Sequence, residues 1–233
     1  MRGMSIGANE VNVQQDRLLA RGLLAQNLAV FRGERLVFQN LSFAIAPGAA
    51  LVLAGPNGSG KSTLLRLLAG LLSPVAGSLT WNGEDVFADR AGHAARVAYL
   101  GHQDAVQPGL SAMENLAFPA RVSGGDAAAA LAMHGLAALA DLPARMLSAG
   151  QKRRLALARL SLSKGKLWLL DEPTLGLDTV SVERLGAVLA AHLEGGGMVI
   201  AATHLPLPLP QAAELRLEPT ADHAGDFDLD EPA

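Results

Sequence analysis

The stretch from Gly55 to Ser62 has the clearest chemical signature in the sequence. It reads Gly-Pro-Asn-Gly-Ser-Gly-Lys-Ser and matches G-x-x-x-x-G-K-[ST], the pattern of a loop that binds nucleotide phosphates. Glycines let successive backbone N–H groups point inward as an anion nest, and the following helix turns its positive end toward it. We expect Lys61 to lie against the β- and γ-phosphates, Ser62 to offer its hydroxyl to Mg²⁺ and Thr63 to contact an inner phosphate. The nucleotide-binding residues predicted in this loop are Gly55, Pro56, Asn57, Gly58, Ser59, Gly60, Lys61, Ser62 and Thr63.

Two adjacent acids, Asp171 and Glu172, follow a short apolar run. Residues 167–170 read Leu-Trp-Leu-Leu without alternation, as expected of a strand that is buried on both faces. Ligand sites of parallel sheets lie at the carboxyl ends of such strands. We expect Asp171 to hold Mg²⁺. Because successive side chains of a strand point to opposite sides, we assign Glu172 a different role, as the general base that polarises the attacking water.

A third candidate, His204, closes the apolar run 199–203. That run predicts a strand next to the one that ends at Asp171, so we interpret His204 as a sensor of the γ-phosphate. The other histidines have no spacing that is typical of a metal site.

Short apolar runs between turn residues predict the strands, and leucine- and alanine-rich stretches predict the helices. The predicted strands are 23–31, 36–46, 50–54, 78–81, 96–100, 167–170, 198–202 and 212–217, and the predicted helices are 61–72, 151–163 and 180–192. Alanine and leucine dominate residues 111–145, which favours a helical segment. Alternation of strands and helices indicates an α/β layered domain with a largely parallel sheet.

The composition excludes several classes of protein. Half of the 233 residues are apolar and 18% are charged, which argues against a disordered chain. The absence of cysteine excludes disulfides and thiolate sites. The net charge is -3, so the chain has no excess of positive charge that would attract the phosphates of nucleic acid, and we expect no nucleic-acid partner. We expect no membrane span and no secretory signal, and hence a cytoplasmic location.

The basic run at residues 152–154 reads Lys-Arg-Arg and opens a predicted helix. Leu155, Leu157 and Leu160 stand behind it, which favours a solvated or interface face of that helix over a nucleic-acid patch.

Residues 147–151, Leu-Ser-Ala-Gly-Gln, lie shortly before the predicted metal-binding acid. They resemble the signature motif of ATP-binding cassette (ABC) proteins, whose usual form is LSGGQ, with Ala149 in place of the first glycine. Gln103 resembles the glutamine of the family's Q-loop, and the segment 176–178, Gly-Leu-Asp, resembles its D-loop. Phe31 stands where the family has an aromatic ring that stacks on adenine. The resemblance covers about residues 23–217.

The resemblance implies a fold and a division of the chain. The fold class is α/β: a P-loop NTPase of the ABC ATPase type, with a mixed β core sheet flanked by helices, an N-terminal antiparallel β subdomain and an inserted α-helical subdomain. Residues 21–217 then form the ATP-binding domain, with the helical insert at about 104–145. Residues 1–20 are expected to be a flexible leader and residues 218–233 an acidic disordered tail.

The resemblance also implies a mechanism that uses two copies of the chain. They form a homodimer in the ATP-bound state, arranged head to tail, so that each ATP is held by the loop of one copy and capped by the signature motif of the other. Hydrolysis then loosens the dimer. The catalytic residues implied are Glu172, His204 and Gln103; the metal ligands are Ser62, Gln103 and Asp171; and the further nucleotide contacts are Phe31, Ser148, Gly150, Gln151 and Asp178.

Within the family, residues 148–160 and 99–103 resemble the ATP-binding subunits of haem-export systems that serve cytochrome c maturation. This implies an ATPase of the translocase class that uses ATP and Mg²⁺ and drives release of haem or a haem chaperone. Its partners would be the integral membrane subunits of that complex, on the cytoplasmic face of the inner membrane. The alternatives are the ATP-binding subunit of another ABC transporter, a soluble ABC ATPase without a transport role, and a P-loop kinase or switch, which has no use for the signature motif.

Overall fold

The structure, a computed structural model, describes residues 21–209 and 211–218. The predicted leader at 1–20 and nearly all of the predicted tail lie outside the described residues. The strands are β1 (Leu23–Arg32), β2 (Arg35–Ile45), β3 (Ala50–Ala54), β4 (Ala76–Trp81), β5 (Glu84–Asp85), β6 (Val97–Leu100), β7 (Leu167–Asp171), β8 (Met198–Ala202) and β9 (Ala213–Arg216). The α-helices are α1 (Lys61–Leu68), α2 (Arg90–Arg96), α3 (Ala112–Ser123), α4 (Ala127–Met133), α5 (Ala149–Ser161) and α6 (Thr179–Glu194).

A parallel sheet of five strands, in the order β6-β7-β8-β3-β9, lies at the centre of the fold. Every residue of β7 and β8 is buried, because both faces of the sheet are covered. Leu167 and Leu169 of β7 join the core cluster that contains the leucines of α1. Trp168 and Leu170 join a second cluster, on the face that α5 and α6 cover. A continuous apolar run in the sequence is therefore the signature of a central parallel strand.

A second sheet, in the order β2-β1-β4-β5, is antiparallel. Asn82 and Gly83 join β4 to β5 with positive φ angles of 53° and 84°, which is the conformation of a tight hairpin turn. Among the described strands, parallel and antiparallel pairing are divided between the two sheets rather than combined in one core sheet.

The alanine-rich segment folds into α3, α4 and two turns of 3₁₀-helix, Ala137–Leu139 and Ala144–Met146. Its leucines form a third core cluster together with Leu155, Ala158 and Leu162, on and just after α5. The segment therefore packs directly on the helix that the signature motif opens. The helix α2 was not predicted from the sequence, because its residues, Arg-Ala-Gly-His-Ala-Ala-Arg, have no periodic apolar pattern. Asp89 caps this helix by accepting a hydrogen bond from the N–H of Gly92.

Candidate functional site

The turn from β3 into α1 forms the predicted phosphate loop. Gly55 and Gly60 have φ angles of 140° and 97°, a region that side chains rarely adopt. There is also no room for a side chain, since a Cβ on Gly60 would lie 2.5 Å from Val37 Cγ1. The Nζ of Lys61 donates to the carbonyl oxygens of Gly55 and Pro56, at 2.7 and 2.9 Å. The lysine is thus turned back onto the loop, where an anion in the nest would compete for its ammonium group.

A cleft of about 730 Å³ opens over this loop. It is lined by residues of β1, β2, α1 and β7 and of the loops that follow β3, β6, β7 and β8. The parallel strands β3, β7 and β8 all finish at this edge of the sheet. The predicted site residues that line it are Asn57, Gly58, Gly60, Lys61, Ser62, Thr63, Asp171, Glu172 and His204. Sequence reasoning did not assign Arg32, Arg35, Val37 and His102, which also line the cleft. Arg32, Arg35 and Val37 belong to no motif that the sequence analysis used, and His102 belongs to the 99–103 block, to which the sequence analysis gave no site role except at Gln103.

Glu172 and His204 meet at the end of the two neighbouring strands. Asp171 pairs with Ala202 in the parallel register, so the residues that follow both strands emerge side by side. The N–H of His204 donates to Oε2 of Glu172 at 3.3 Å, and its Nε2 lies 3.6 Å from Oε1. The backbone of Glu172 has a φ of 48°, and its N–H donates to the carbonyl oxygen of Ala202 at 2.8 Å. This left-handed turn aims the Glu172 side chain into the cleft instead of continuing the strand.

Asp171 and Ser62 offer oxygen ligands of the kind that Mg²⁺ prefers. Both residues line the cleft, as does Lys61. Among the described residues, no group of three or more His, Cys, Asp or Glu side chains could hold a metal by itself. Mg²⁺ is usually bound through one or two carboxylates together with substrate phosphates and water, so this sparse oxygen set fits that ion.

Ser148, at the signature motif, caps the N-terminus of α5. Its Oγ accepts from the N–H of Gln151 at 3.2 Å, and its own N–H donates to Oε1 of Gln151 at 2.8 Å. This capping box fixes the first turn of the helix and its outward-pointing N–H groups. Ser148 is exposed and does not line the cleft of its own chain. A Cβ on Gly150 would lie 2.6 Å from the carbonyl oxygen of Gly176, so the signature and the D-loop run in close contact.

Asp178 caps α6 by accepting a hydrogen bond from the N–H of Ser181 at 2.8 Å. Hydrogen bonds from Ser181 lower the pKa of the Asp178 carboxyl, and the positive charges of Arg154 and Arg184 lower it further. The ionised carboxylate is exposed, beside the signature motif and outside the cleft.

Phe31 and Gln103, two further predicted contacts, also do not line the cleft in this structure. Phe31 is 49% exposed and pairs with Leu36 across the β1–β2 hairpin, while its neighbours Arg32 and Arg35 line the cleft. Gln103 is exposed, while its neighbour His102 lines the cleft. The roles assigned to Phe31 and Gln103 stay predictions.

The basic run at 152–154 is only in part the solvated or interface face that its charges indicate, since Lys152 and Arg154 are half-buried. Arg153, at its centre, is 4% exposed, so that interpretation is wrong for this residue. Its guanidinium reaches loops from two other parts of the chain, which only the fold reveals.

Three features define an ATP-binding cassette ATPase. They are the phosphate loop between β3 and α1, the acidic pair at the end of β7, and the capped helix α5 that the signature motif opens. The family model described as ABC transporter matches residues 38–175. A protein of Paramagnetospirillum magneticum, cytochrome c biogenesis ATP-binding export protein CcmA, is 54% identical over 201 residues, which cover 83% of this chain and 93% of that protein. The protein of the same name from Rhodospirillum rubrum is 52% identical over 196 residues, covering 83% and 84%. The chain therefore belongs to the ABC transporter family of ATP-binding proteins, among relatives of CcmA.

Solved structures confirm the predicted fold class. An ATP-binding subunit of an ABC transporter superposes with a TM-score of 0.75 at 22% identity, covering 85% of this chain and 88% of that one. An ATP-binding cassette solved as a dimer in a post-hydrolysis state, with ADP and phosphate bound, has a TM-score of 0.72 at 24% identity, covering 84% and 96%. No helix in the described part of the chain is long and apolar enough to cross a membrane.

Replacing Lys61 with alanine should weaken ATP binding by about ten- to hundred-fold, because it removes a charged donor from the phosphate site. Isothermal titration with ATP measures this. Lys166→Ala is the matched control, since that lysine donates to the carbonyl oxygen of Gly195 and stands just before β7, at the opposite end of the strand from Asp171. Equal ATP affinity in the Lys61 variant and the unaltered chain would contradict the role of this lysine.

Proposed function

We propose that this chain is the ATP-hydrolysing subunit of a membrane complex for haem export and cytochrome c maturation. ATP-dependent dimerisation of two copies would drive release of haem or of a haem-loaded chaperone. The observation that carries the ATPase part is the convergence of Lys61, Asp171, Glu172 and His204 on one cleft. The names of the relatives support the assignment to the haem system. In this proposal residues 21–217 form the catalytic domain, with the helical insert at about 104–145.

The phosphate loop binds the triphosphate through its backbone N–H groups and the N-terminus of α1. Lys61 exchanges its two carbonyl partners for oxygens of the β- and γ-phosphates. Asp171, Ser62 and Gln103 would hold Mg²⁺, which when bound would neutralise charge that develops on the phosphates. Phe31, on the adjacent hairpin, has a half-exposed ring that can stack on the adenine.

Glu172 accepts the proton of the attacking water. Its side chain is less exposed than that of His204, at 18% against 47%, and it meets only the edge of the imidazole and one N–H. The Glu172 residue also lines the cleft. In this proposal His204, whose Nε2 lies 3.6 Å from Oε1 of Glu172, contacts the γ-phosphate and orients the carboxylate. Gln103 completes the site when its loop turns inward.

The second copy supplies the other wall of the site. The signature corner, residues 148–151, presents a helix N-terminus and a serine hydroxyl to solvent, and both favour a phosphate. The corner lies outside the cleft of its own chain, and in this proposal it contacts the γ-phosphate that is bound to another copy. Asp178 lies beside it, ionised and exposed, and contributes to the same contact.

Replacing Glu172 with glutamine should trap the dimer. Water activation is lost, so ATP turnover should fall by about 10²- to 10⁴-fold, while the phosphate loop still binds ATP. Gel filtration with Mg²⁺ and ATP should show a dimer that the same variant does not form with ADP. A monomer under both conditions would count against the head-to-tail model.

Replacing Ser148 with arginine should abolish turnover without loss of ATP binding by the single copy. The long cationic side chain would block the approach of the second copy, whereas the phosphate loop is untouched. Arg145→Lys, on the turn just before the signature, is the control. Unchanged turnover in the Ser148 variant would favour a P-loop kinase or switch.

Integral membrane subunits would dock in the groove between α3, β6 and α5, on the cytoplasmic face of the membrane. The groove has a volume of about 580 Å³, and its rim carries Phe118 and Val122 of α3, which are 67% and 70% exposed. The two side chains are one turn apart on α3 and so form one exposed apolar patch, a feature of interaction sites. β6 forms the floor of the groove and leads directly into the loop of Gln103, so a docked subunit would lie next to the catalytic cleft.

Replacing Phe118 with aspartate should therefore reduce co-purification with the membrane subunits of the haem-export complex by about ten-fold or more. The isolated chain should keep its ATP affinity. Val75→Asp, an equally exposed apolar position outside the groove, is the matched control. If both variants co-purify like the unaltered chain, the groove is not the docking site.

A further inference from the structure

The guanidinium of Arg153 donates to two loops of the catalytic cleft at once. On one side Nη1 donates to the carbonyl oxygen of Gly101 at 3.1 Å and to Oδ1 of Asp104 at 2.8 Å. On the other side the carbonyl oxygens of residues 171, 172 and 173 accept at 2.6, 2.7 and 3.4 Å. An arginine has five N–H donors, and these five contacts match that number.

Arg159, further along α5, holds the far end of the Gln103 loop. It donates to the carbonyl oxygen of Asp104 at 3.2 Å and to that of Ala105 at 2.7 Å. Ala105 has a φ of 49°, so the loop makes a left-handed turn at this contact. The two arginines therefore anchor the chain on both sides of His102 and Gln103.

The contacts form a charged network in the protein interior. The side chains of Arg153 and Asp104 are 5% and 25% exposed, so both charges are largely withdrawn from water. A buried charge is costly without partners, and removal of one partner leaves the other uncompensated. Burial also lowers the pKa of the Arg159 guanidinium, which the charge of Asp104 offsets.

We propose that Arg153, Arg159 and Asp104 form an arginine clamp that positions Gln103 and Glu172 relative to the signature helix. The clamp rests on the proposed ATPase function and adds positioning residues to it. The two arginines contact the backbone before and after Gln103, and Arg153 also contacts the backbone around Glu172. We assign these arginines no contact with the substrate. Both arginines are on α5, the helix that the signature motif opens, so any rotation of α5 moves the Gln103 loop and the Glu172 turn together.

The clamp stabilises the backbone turn at Glu172. A glutamate with a φ of 48° is in a strained conformation, which persists where the surroundings hold it. Arg153 holds the carbonyl oxygen of Glu172 itself and those of the residues before and after it. Loss of the clamp would let the turn relax and displace the general base, while the phosphate loop, on another strand, keeps its shape.

Lysine cannot replace either arginine, because an ammonium group has three donors at one point whereas a guanidinium is a planar fork. Arg153→Lys and Arg159→Lys should each lower kcat for ATP by about 100-fold, the effect of a small misplacement of a catalytic group. The dissociation constant for ATP should stay within about two-fold of that of the unaltered chain. Asp104→Ala should act like the arginine variants, and Asp104→Asn, which keeps the acceptor oxygen, should recover most of the lost turnover.

The control is Arg154→Lys. Arg154 follows Arg153 on α5 and also donates to two carbonyl oxygens, but those of His134 and Gly135 in the helical segment. The Arg154→Lys variant keeps the positive charge at this position, and we expect it to retain ATP turnover. The double variant of Arg153→Lys with Asp104→Ala should be no worse than the poorer single variant, because both changes break one network.

These measurements use the full chain, with thermal unfolding recorded for each variant. If Arg153→Lys fails to fold, Asp104→Ala and Arg159→Lys carry the test. Normal kcat in both of these would overturn the clamp. So would an equal fall in kcat and ATP affinity together with a lower melting temperature, or full additivity in the double variant. A Glu172→Gln chain that stays monomeric with ATP would instead refute the proposed function, and it would leave the kcat comparison of the clamp variants unchanged.

Discussion

The parallel register of β3, β7 and β8 is the constraint on which the rest of the structure depends. It brings the phosphate loop, the acidic pair and His204 to one edge of the sheet, although the loop lies more than a hundred residues before the other two in the chain. That edge also receives the positive end of α1, so a negatively charged ligand meets backbone N–H groups, a lysine and a helix dipole in one place. The register is fixed in turn by two apolar layers, one on each face of the sheet.

A second constraint is the buried guanidinium at the start of α5. The helical segment and the signature corner share α5 with Arg153, and Arg153 contacts the backbone of the acidic pair. A single helix, α5, thus connects three features: the apolar groove, the signature corner and the turn at Glu172. This arrangement gives a physical path by which docking of a membrane subunit could alter hydrolysis, without any contact between that subunit and the nucleotide.

Much of the site could be predicted from the sequence, since it depends on local spacing. The glycines, Lys61 and Ser62 are contiguous, and the acids and His204 directly follow apolar runs that can only be central strands. The positions that the sequence did not reveal depend on tertiary placement. Arg32, Arg35 and His102 reach the cleft because of how a hairpin and a loop lie over it, and Arg153 is buried although it stands in a run of three basic residues. The short helix α2 escaped prediction because its residues carry no periodic apolar pattern.

The central claim is that two copies share each ATP, with the phosphate loop of one opposite the signature corner of the other. A crystal structure of the Glu172→Gln chain with Mg²⁺ and ATP tests it most directly. The account predicts that the Ser148 hydroxyl of one copy lies within about 3.5 Å of a γ-phosphate oxygen that Lys61 of the second copy contacts. A nucleotide-loaded structure in which Ser148 stays far from every phosphate would contradict the account.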